Sequence, residues 1–176
     1  MGRDETATAR LRELNAHFRE HPRTGPAERH APTVTSSAPL NIGILDHMKA
    51  CVDEVVQHAR ATDPATGPAP AKVTSLYDWF REHTAHAGDE QQRVRETVIY
   101  RQGLEHAILQ GDTDVVCTHP CPGCRTWGLQ WDRARRRALC LNMDCQDRSG
   151  GGSTWSLGRI ATQHITAQES LRRRAT

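Results

Sequence analysis

Four cysteines between residues 121 and 145 have the spacing of a metal site. Cys121 and Cys124 belong to a Cys-Pro-Gly-Cys turn, and Cys140 and Cys145 form a second close pair after fifteen intervening residues. Tetrahedral Zn²⁺ takes four thiolates at about 2.3 Å, and a Cys-x-x-Cys turn directs two sulfurs at one point. The spacing therefore predicts a structural zinc ribbon, with chance cysteines or a disulfide as the alternatives.

The segment between the two pairs has the pattern of a β-hairpin. Trp127, Leu129 and Trp131 alternate with small or polar residues, as on one face of a strand, and residues 132–136 can turn the chain before it returns to Cys140. Such a hairpin brings both cysteine pairs to the same end. A site closed by four thiolates leaves no position for water or substrate, which argues against zinc catalysis.

Other residues near the ribbon are weaker candidates for chemistry. Cys117 and His119 precede the first pair and could replace one of its members. His119, Asn142 and His164 are the residue types of a His-Asn-His nuclease, although no spacing places them together. The chain has no phosphate-binding glycine loop, nucleophile elbow or paired-carboxylate motif. We therefore expect a protein that is not an enzyme.

The cysteine motif resembles known ribbons. Cys-Pro-Gly-Cys followed by Cys-x-Asn-x-x-Cys, over residues 121–145, resembles the small C-terminal ribbons of type IA topoisomerases, which hold single-stranded DNA. Those ribbons usually have glycine after the second cysteine, where this chain has Arg125, so we expect a difference in knuckle geometry. With Thr-Trp-Gly-Leu-x-Trp at 126–131 and Trp-Ser-Leu-x-Arg-Ile-Ala at 155–161, the chain resembles small zinc-ribbon proteins of actinobacterial phages and prophages. That resemblance implies a source for the chain but does not imply a particular activity.

Basic residues are concentrated at the ribbon end of the chain. Residues 1–116 carry 13 basic and 17 acidic residues, whereas residues 117–176 carry 10 and 4. Arginines that contact phosphate, beside aromatic rings that stack on bases, are how proteins hold single strands. Alternatively, the two tryptophans pack between the hairpin and the helices and leave the arginines solvated, with one tryptophan buried and one exposed as an intermediate. The alternative function is a structural or assembly factor of a phage or phage-like particle that uses the ribbon as a protein interface. The expected nucleic-acid contacts are Arg125, Trp131, Arg133, Arg135, Arg136, Arg137, Arg172, Arg173 and Arg174.

Helical patterns flank the ribbon. Residues 41–60 carry an apolar stripe with Cys51 on it, which predicts a core helix and a buried free thiol. A short aromatic helix capped by Thr74 or Ser75 follows, and then a core helix over residues 89–110 with Gly111 as its C-cap. The stripe of the first helix is Leu45, Met48, Val52, Val55 and Ala59, widened by Ile44, Cys51 and Val56; the third carries Val94, Val98, Leu104, Ile108 and Leu109.

The whole chain is predicted to be mainly α with a small β zinc ribbon. We expect an N-terminal helix and flexible linker in residues 1–40, a helical core in 41–114, the ribbon in 115–149, and a glycine hinge with a basic helix, starting at residue 153 or 154, in 150–176. No apolar run approaches the roughly 18 residues of a membrane span, and the N-terminus has no signal-peptide core. A cytoplasmic protein without a membrane partner is therefore expected.

Overall fold

The computed structural model describes residues 9, 10, 12, 13 and 16, which are helical, and residues 42–175. The predicted linker and most of the predicted N-terminal helix lie outside the described residues. The described chain confirms the mainly α prediction, and none of its helices is long and apolar enough to cross a bilayer. Its elements are helices α1 (Ile42–Thr62), α2 (Leu76–His83), α3 (Asp89–Leu109) and α4 (Leu157–Arg174), and strands β1 (Leu129–Asp132), β2 (Arg137–Cys140) and β3 (Thr154–Trp155).

The buried face of α1 is rotated relative to the centre of the predicted stripe. Leu45 is 44% exposed, whereas Ile44, Cys51, Val55 and Ala59 are buried. The eight residues of the predicted stripe cover a band wide enough to offer two possible centres. Packing against the other helices selects the side that carries the small residues Cys51 and Ala59, because small side chains allow helix axes to approach.

Helix α3 lies between two hydrophobic cores. Its apolar residues therefore face two directions, and they do not form one strong stripe in the sequence. Val94 and Leu109, both predicted to be buried, are each 39% exposed. One side of α3 contributes to the helical core, which consists of Val55, Ala59, Leu76, Tyr77, Phe80, Val98 and Ile99. The other side contributes to the ribbon core, which consists of Leu104, Ala107, Val115, Val116, Cys121, Leu129, Ala138, Cys140, Cys145, Leu157 and Ile160.

A buried amide joins the first three helices. Gln102 on α3 is completely buried, and its Oε1 accepts a hydrogen bond of 2.9 Å from the Tyr77 hydroxyl on α2. Its Nε2 donates to the carbonyl oxygen of Cys51 at 3.2 Å and to Glu54 at 2.8 Å, both on α1. Since a buried polar group without partners is costly, this satisfied amide fixes the relative position of α1, α2 and α3.

The predicted C-cap of α3 is confirmed. Gly111 has a φ of +96°, in the region that favours glycine. Its N–H donates to the carbonyl of Ile108 at 3.0 Å, and the N–H of Asp112 donates to that of Ala107 at 2.9 Å. This is the hydrogen-bond pattern of a Schellman motif, and it stops the helix and turns the chain towards the ribbon.

The ribbon contains a third strand that the sequence did not predict. β1 pairs antiparallel with β2, with Leu129 opposite Cys140, and β2 pairs antiparallel with β3, with Leu139 opposite Thr154. The predicted start of the last helix at residue 153 or 154 is therefore wrong. The N-cap is Ser156, whose Oγ accepts from the N–H of Arg159 at 3.2 Å. Threonine and tryptophan suit a strand, and the free edge of β2 supplies the partner.

The glycine run before β3 forms a hydrogen-bonded turn. The N–H of Asp147 donates to the carbonyl of Gly151 at 2.7 Å, and the N–H of Ser153 donates to that of Cys145 at 2.9 Å. A Cβ on Gly152 would lie 3.0 Å from the Leu139 side chain, so the chain passes close to the sheet at this point. The turn carries the chain from the last cysteine back to β2.

Candidate metal centre and ribbon surface

The four predicted cysteines meet at the end of the sheet opposite the hairpin turn. Sγ of Cys121 lies 3.7 Å from Sγ of Cys145, and Sγ of Cys124 lies 3.7 Å from Sγ of Cys140. A tetrahedral Zn²⁺ with bonds of about 2.3 Å to sulfur separates its ligands by about 3.8 Å. The four-cysteine cluster therefore has the size needed to hold a metal ion.

Local backbone geometry shapes the first cysteine turn. The N–H of Gly123 donates to Sγ of Cys121 at 3.4 Å, and the N–H of Cys121 donates to the carbonyl of Thr126 at 2.9 Å. A Cβ on Gly123 would lie 2.9 Å from the Trp155 ring and 3.5 Å from Sγ of Cys145. Glycine is thus required because the first cysteine turn passes close to the Trp155 ring.

Arg125 takes the conformation that glycine would take in this turn. Its φ is +65°, in the left-handed region, and its N–H donates to the carbonyl of Cys121 at 3.0 Å. Left-handed backbone at a residue with a Cβ costs about 1–2 kcal/mol. The knuckle turn therefore holds this arginine in a strained backbone conformation, with its side chain exposed.

The protein environment gives the thiols of the cluster different acidities. The Thr126 hydroxyl, 2.9 Å from Sγ of Cys124, and the Thr126 amide lower the pKa of Cys124 to about 6. Burial raises the pKa of Cys140 to about 12. Since thiolates are the ligands, a metal ion must displace the Cys140 proton, and metal affinity should decrease as the pH falls.

The two alternative ligands lie outside the cluster. Cys117 is exposed, after the short turn of 3₁₀ helix at Asp114–Val116. His119 is buried, with its Nε2 2.7 Å from the Tyr100 hydroxyl and its Nδ1 3.0 Å from the carbonyl oxygen of Val115. Both ring nitrogens of His119 are therefore occupied by other partners.

The structure brings together two of the three nuclease-type residues. The ring centroids of His119 and His164 are 5.4 Å apart, and Tyr100 stacks on His164 at 4.1 Å. Asn142 instead accepts a hydrogen bond of 3.1 Å from the N–H of Asp144 in the second cysteine turn. The sequence gives no sign that Tyr100 lies beside these two histidines, because a tyrosine on a core helix belongs to no motif. The described residues contain no His-Asn-His arrangement.

The hairpin turn presents unpaired cations. Arg133, Arg136 and Arg137 are exposed, and none of them forms an ion pair with another described residue. Arg135 is paired with Asp132 at 2.8 Å, and the same carboxylate accepts hydrogen bonds from the backbone of the turn. Asp132 thus stabilises the turn, and three guanidinium groups are available to an anionic partner.

The other predicted cationic contacts lie elsewhere. Arg125 is exposed beside the cysteine turns. The arginines that end α4 lie near the helices: Arg173 is 4.0 Å from Asp89, the first residue of α3, and Arg172 lines a groove between α3 and α4. The structure therefore does not place the predicted basic residues in one patch.

The most exposed tryptophan of the ribbon is Trp127. Its side chain is 68% exposed, whereas Trp131, the predicted stacking ring, packs partly buried against the ribbon core. Strict alternation placed both rings on one face, but β1 begins only at Leu129, and Gly128 has a φ of +124°. This turn in the backbone separates the two rings.

We expect Cys117 to be the fastest cysteine to alkylate in the native, metal-loaded protein, because it is the exposed thiol outside the cluster. Cys51 should react slowly, since it is 5% exposed and burial raises its pKa to about 12. Mass spectrometry of timed samples measures the order. Protection of Cys117 equal to that of Cys124, relieved only by a chelator, would show that the ligand set differs.

No family model, curated protein or solved structure matches this chain. The geometry of the cysteine cluster and the surface around it is therefore the basis for a functional conclusion.

Proposed function

We propose that this chain is a non-enzymatic zinc-binding protein whose basic ribbon half contacts nucleic acid. The observation that carries the proposal is the sulfur cluster, whose 3.7 Å separations match a tetrahedral ion with four thiolate ligands. Thiolates in this geometry favour zinc over the hard cations Mg²⁺ and Ca²⁺. When bound, zinc cross-links the first cysteine turn to the end of β2 and to the second turn.

The hairpin surface supports the nucleic-acid part of the proposal. Arg133, Arg136 and Arg137 offer planar donors that suit phosphate oxygens. Trp127 offers an exposed ring on which a base can stack. Strand rise of about 3.3 Å per residue places the start of β1, two residues after Trp127, roughly 10 Å from the turn. An extended single strand along the hairpin would contact the arginines at one end and the ring at the other.

We further propose that the protein acts in the cytosol and comes from an actinobacterial phage or mobile element. The motif resemblance supports the source. Lys49 and Lys72 are the only lysines among the basic residues, and this strong preference for arginine fits the high-GC genomes of actinobacteria and their phages.

A protein-assembly role is the second candidate, and one surface feature favours it. Leu141 and Met143 are 54% and 85% exposed, and the N–H of Leu141 donates to the carbonyl of Gly128, the residue after Trp127, at 2.9 Å. Exposed large apolar side chains in one part of a surface suit a protein partner. Binding to such a partner would depend little on salt.

A salt titration distinguishes the two functions. The zinc-loaded protein is mixed with single- and double-stranded DNA and RNA, starting near 50 mM salt. If Arg133, Arg136 and Arg137 contact phosphates of a single strand, the slope of log affinity against log salt should be about −2. Absence of binding to every nucleic acid at the lowest salt would leave the assembly role as the better explanation.

Replacing the exposed ring tests the stacking contact. Trp127→Ala should weaken single-strand binding by roughly 1–3 kcal/mol and leave the salt slope unchanged, because the ring carries no charge. Trp131→Ala is the matched control: it should lower thermal stability, since Trp131 packs against the ribbon core, with a smaller effect on binding by the folded protein. Equal affinity of Trp127→Ala and wild type would remove Trp127 from the interface.

A further inference from the structure

We propose that His47, Cys51 and His106 form a second metal site, for Zn²⁺ or a similar borderline divalent cation, between α1 and α3. Nε2 of His47 lies 3.4 Å from Sγ of Cys51, and Nε2 of His106 lies 3.8 Å from the same sulfur. The two imidazole rings are nearly perpendicular, with centroids 5.4 Å apart. Three potential ligand atoms therefore converge on one point.

Helix geometry positions the three side chains. His47 and Cys51 are four residues apart on α1, so they lie on the same face one turn from each other. His106 is four residues after Gln102 on α3, and Gln102 donates to the carbonyl oxygen of Cys51 at 3.2 Å. The buried amide thus holds α3 at the height of Cys51, and the site is preformed by the packing of two helices.

The distances fit a tetrahedral ion. Zinc bonds of about 2.3 Å to sulfur and 2.0–2.1 Å to nitrogen separate a sulfur from a nitrogen ligand by about 3.5 Å. The observed separations of 3.4 and 3.8 Å lie on either side of this value. Both sulfur–nitrogen separations are therefore compatible with an ion bound after small side-chain adjustments.

The burial of His106 needs a compensating contact. Its side chain is completely buried, and its Nδ1 has no hydrogen-bond partner among the described residues. The Cys51 thiol carries one proton, so it can donate to only one of the two rings. The unpaired atom is Nδ1, whereas Nε2 is the atom that faces the sulfur, so an ion between the rings and the sulfur would replace the contested Cys51 contact and leave Nδ1 unchanged. A cation would bind both rings and the sulfur at once.

Charge and access are suitable for a cation. Glu105 Oε2 lies 4.0 Å from Nε2 of His47, while its Oε1 accepts a hydrogen bond of 2.6 Å from Arg101. The Cys51 thiolate would supply one negative charge, and Glu105 and Glu54 supply carboxylates that Arg101 and Arg136 partly offset. Either Oε2 of Glu105 or water can be the fourth ligand. The His47 side chain is 20% exposed, which leaves a route from solvent.

Metal titration of matched variants tests this site. Zn²⁺ alone, and Co²⁺ as a spectroscopic substitute, are titrated into wild type, Cys51→Ala, His47→Gln and the control His58→Gln, which changes another α1 histidine. Wild type and the control should bind two equivalents. Both site variants should bind one equivalent, held by the four cysteines. In wild type, the ion at the His-Cys-His site should leave first when a chelator is added, because it has one thiolate ligand instead of four.

The thiolate-to-cobalt absorption gives an independent readout. Occupation of both sites should place five thiolates on cobalt in wild type and four in Cys51→Ala. If Cys51→Ala does not fold, His47→Gln decides, since His47 is partly exposed. Binding of one equivalent by wild type, or of two by His47→Gln with wild-type chelator resistance, would overturn the second site. Neither result depends on whether the ribbon binds nucleic acid.

Discussion

Loss of metal from the four cysteines is expected to unfold the ribbon and α4 and to leave α1 to α3 folded. Strands β1, β2 and β3 have four, four and two residues, too few to form a stable sheet alone. Structural zinc contributes about 10–16 kcal/mol to the folding of such modules. Helix α4 contributes Leu157 and Ile160 to the ribbon core, so it would lose that partner and keep only its packing on α3, and a helix of 18 residues is marginal in water on its own. The helical core contains no ribbon residue.

Cys124→Ser combined with Cys140→Ser tests this expectation. Far-UV circular dichroism should show a loss of about a quarter of the helical signal, the share of α4 among the four α-helices. Hydrogen exchange should show protection retained in α1 and lost in α4. Cys117→Ser is the control, and it should retain metal and structure, because Cys117 is outside the cluster. Protected α4 amides in a metal-free double variant would contradict the dependence of α4 on the ribbon.

Removing the three unpaired arginines of the hairpin turn should weaken nucleic-acid binding by roughly 100-fold or more near 50 mM salt. Each phosphate contact on a single strand contributes about −0.7 to the salt slope, so the slope should flatten by about 2. The variant combines Arg133→Ala, Arg136→Gly and Arg137→Ala. Glycine is chosen for Arg136 because its φ is +52°, where alanine would be strained. The loss should be similar for every base sequence, because phosphates carry no sequence information.

A matched variant controls for net charge. Lys49, Arg60 and Lys72 are exposed cations of the helical half, and replacing all three with alanine removes the same charge from a different surface. We expect this control to keep most of the wild-type affinity and slope. Equal losses in the two triple variants would indicate a general charge effect and would remove the hairpin turn from the interface.

The cysteine cluster could be predicted because its geometry is encoded locally. Two short turns and one hairpin bring the four sulfurs together, and each is visible as a spacing over fewer than 30 residues. The helices could also be predicted from the sequence, since apolar periodicity and the Gly111 cap are local signals. Their buried faces were harder to predict, because packing with distant partners decided which side of α1 and α3 turned inward.

Features that depend on contacts between distant residues were missed. Thr154 and Trp155 form a strand only because β2 offers a free edge, and no pattern of two residues can show that. His47 and Cys51 had a visible four-residue spacing, but His106 is 55 residues from Cys51, and only the packing of α1 on α3 brings it near. The two tryptophans were assigned to one face because alternation cannot reveal the positive φ of Gly128.

The shared ribbon core limits how this ribbon could be exchanged between proteins during evolution. Leu129 and Ala138 are buried against residues that come from both sides of the ribbon in the chain, including Leu104 on α3 and Ile160 on α4. A recombination event that moved the cysteine segment alone would leave this apolar surface without a partner in the recipient. The smallest piece that could be inherited with its interior intact runs from α3 through α4.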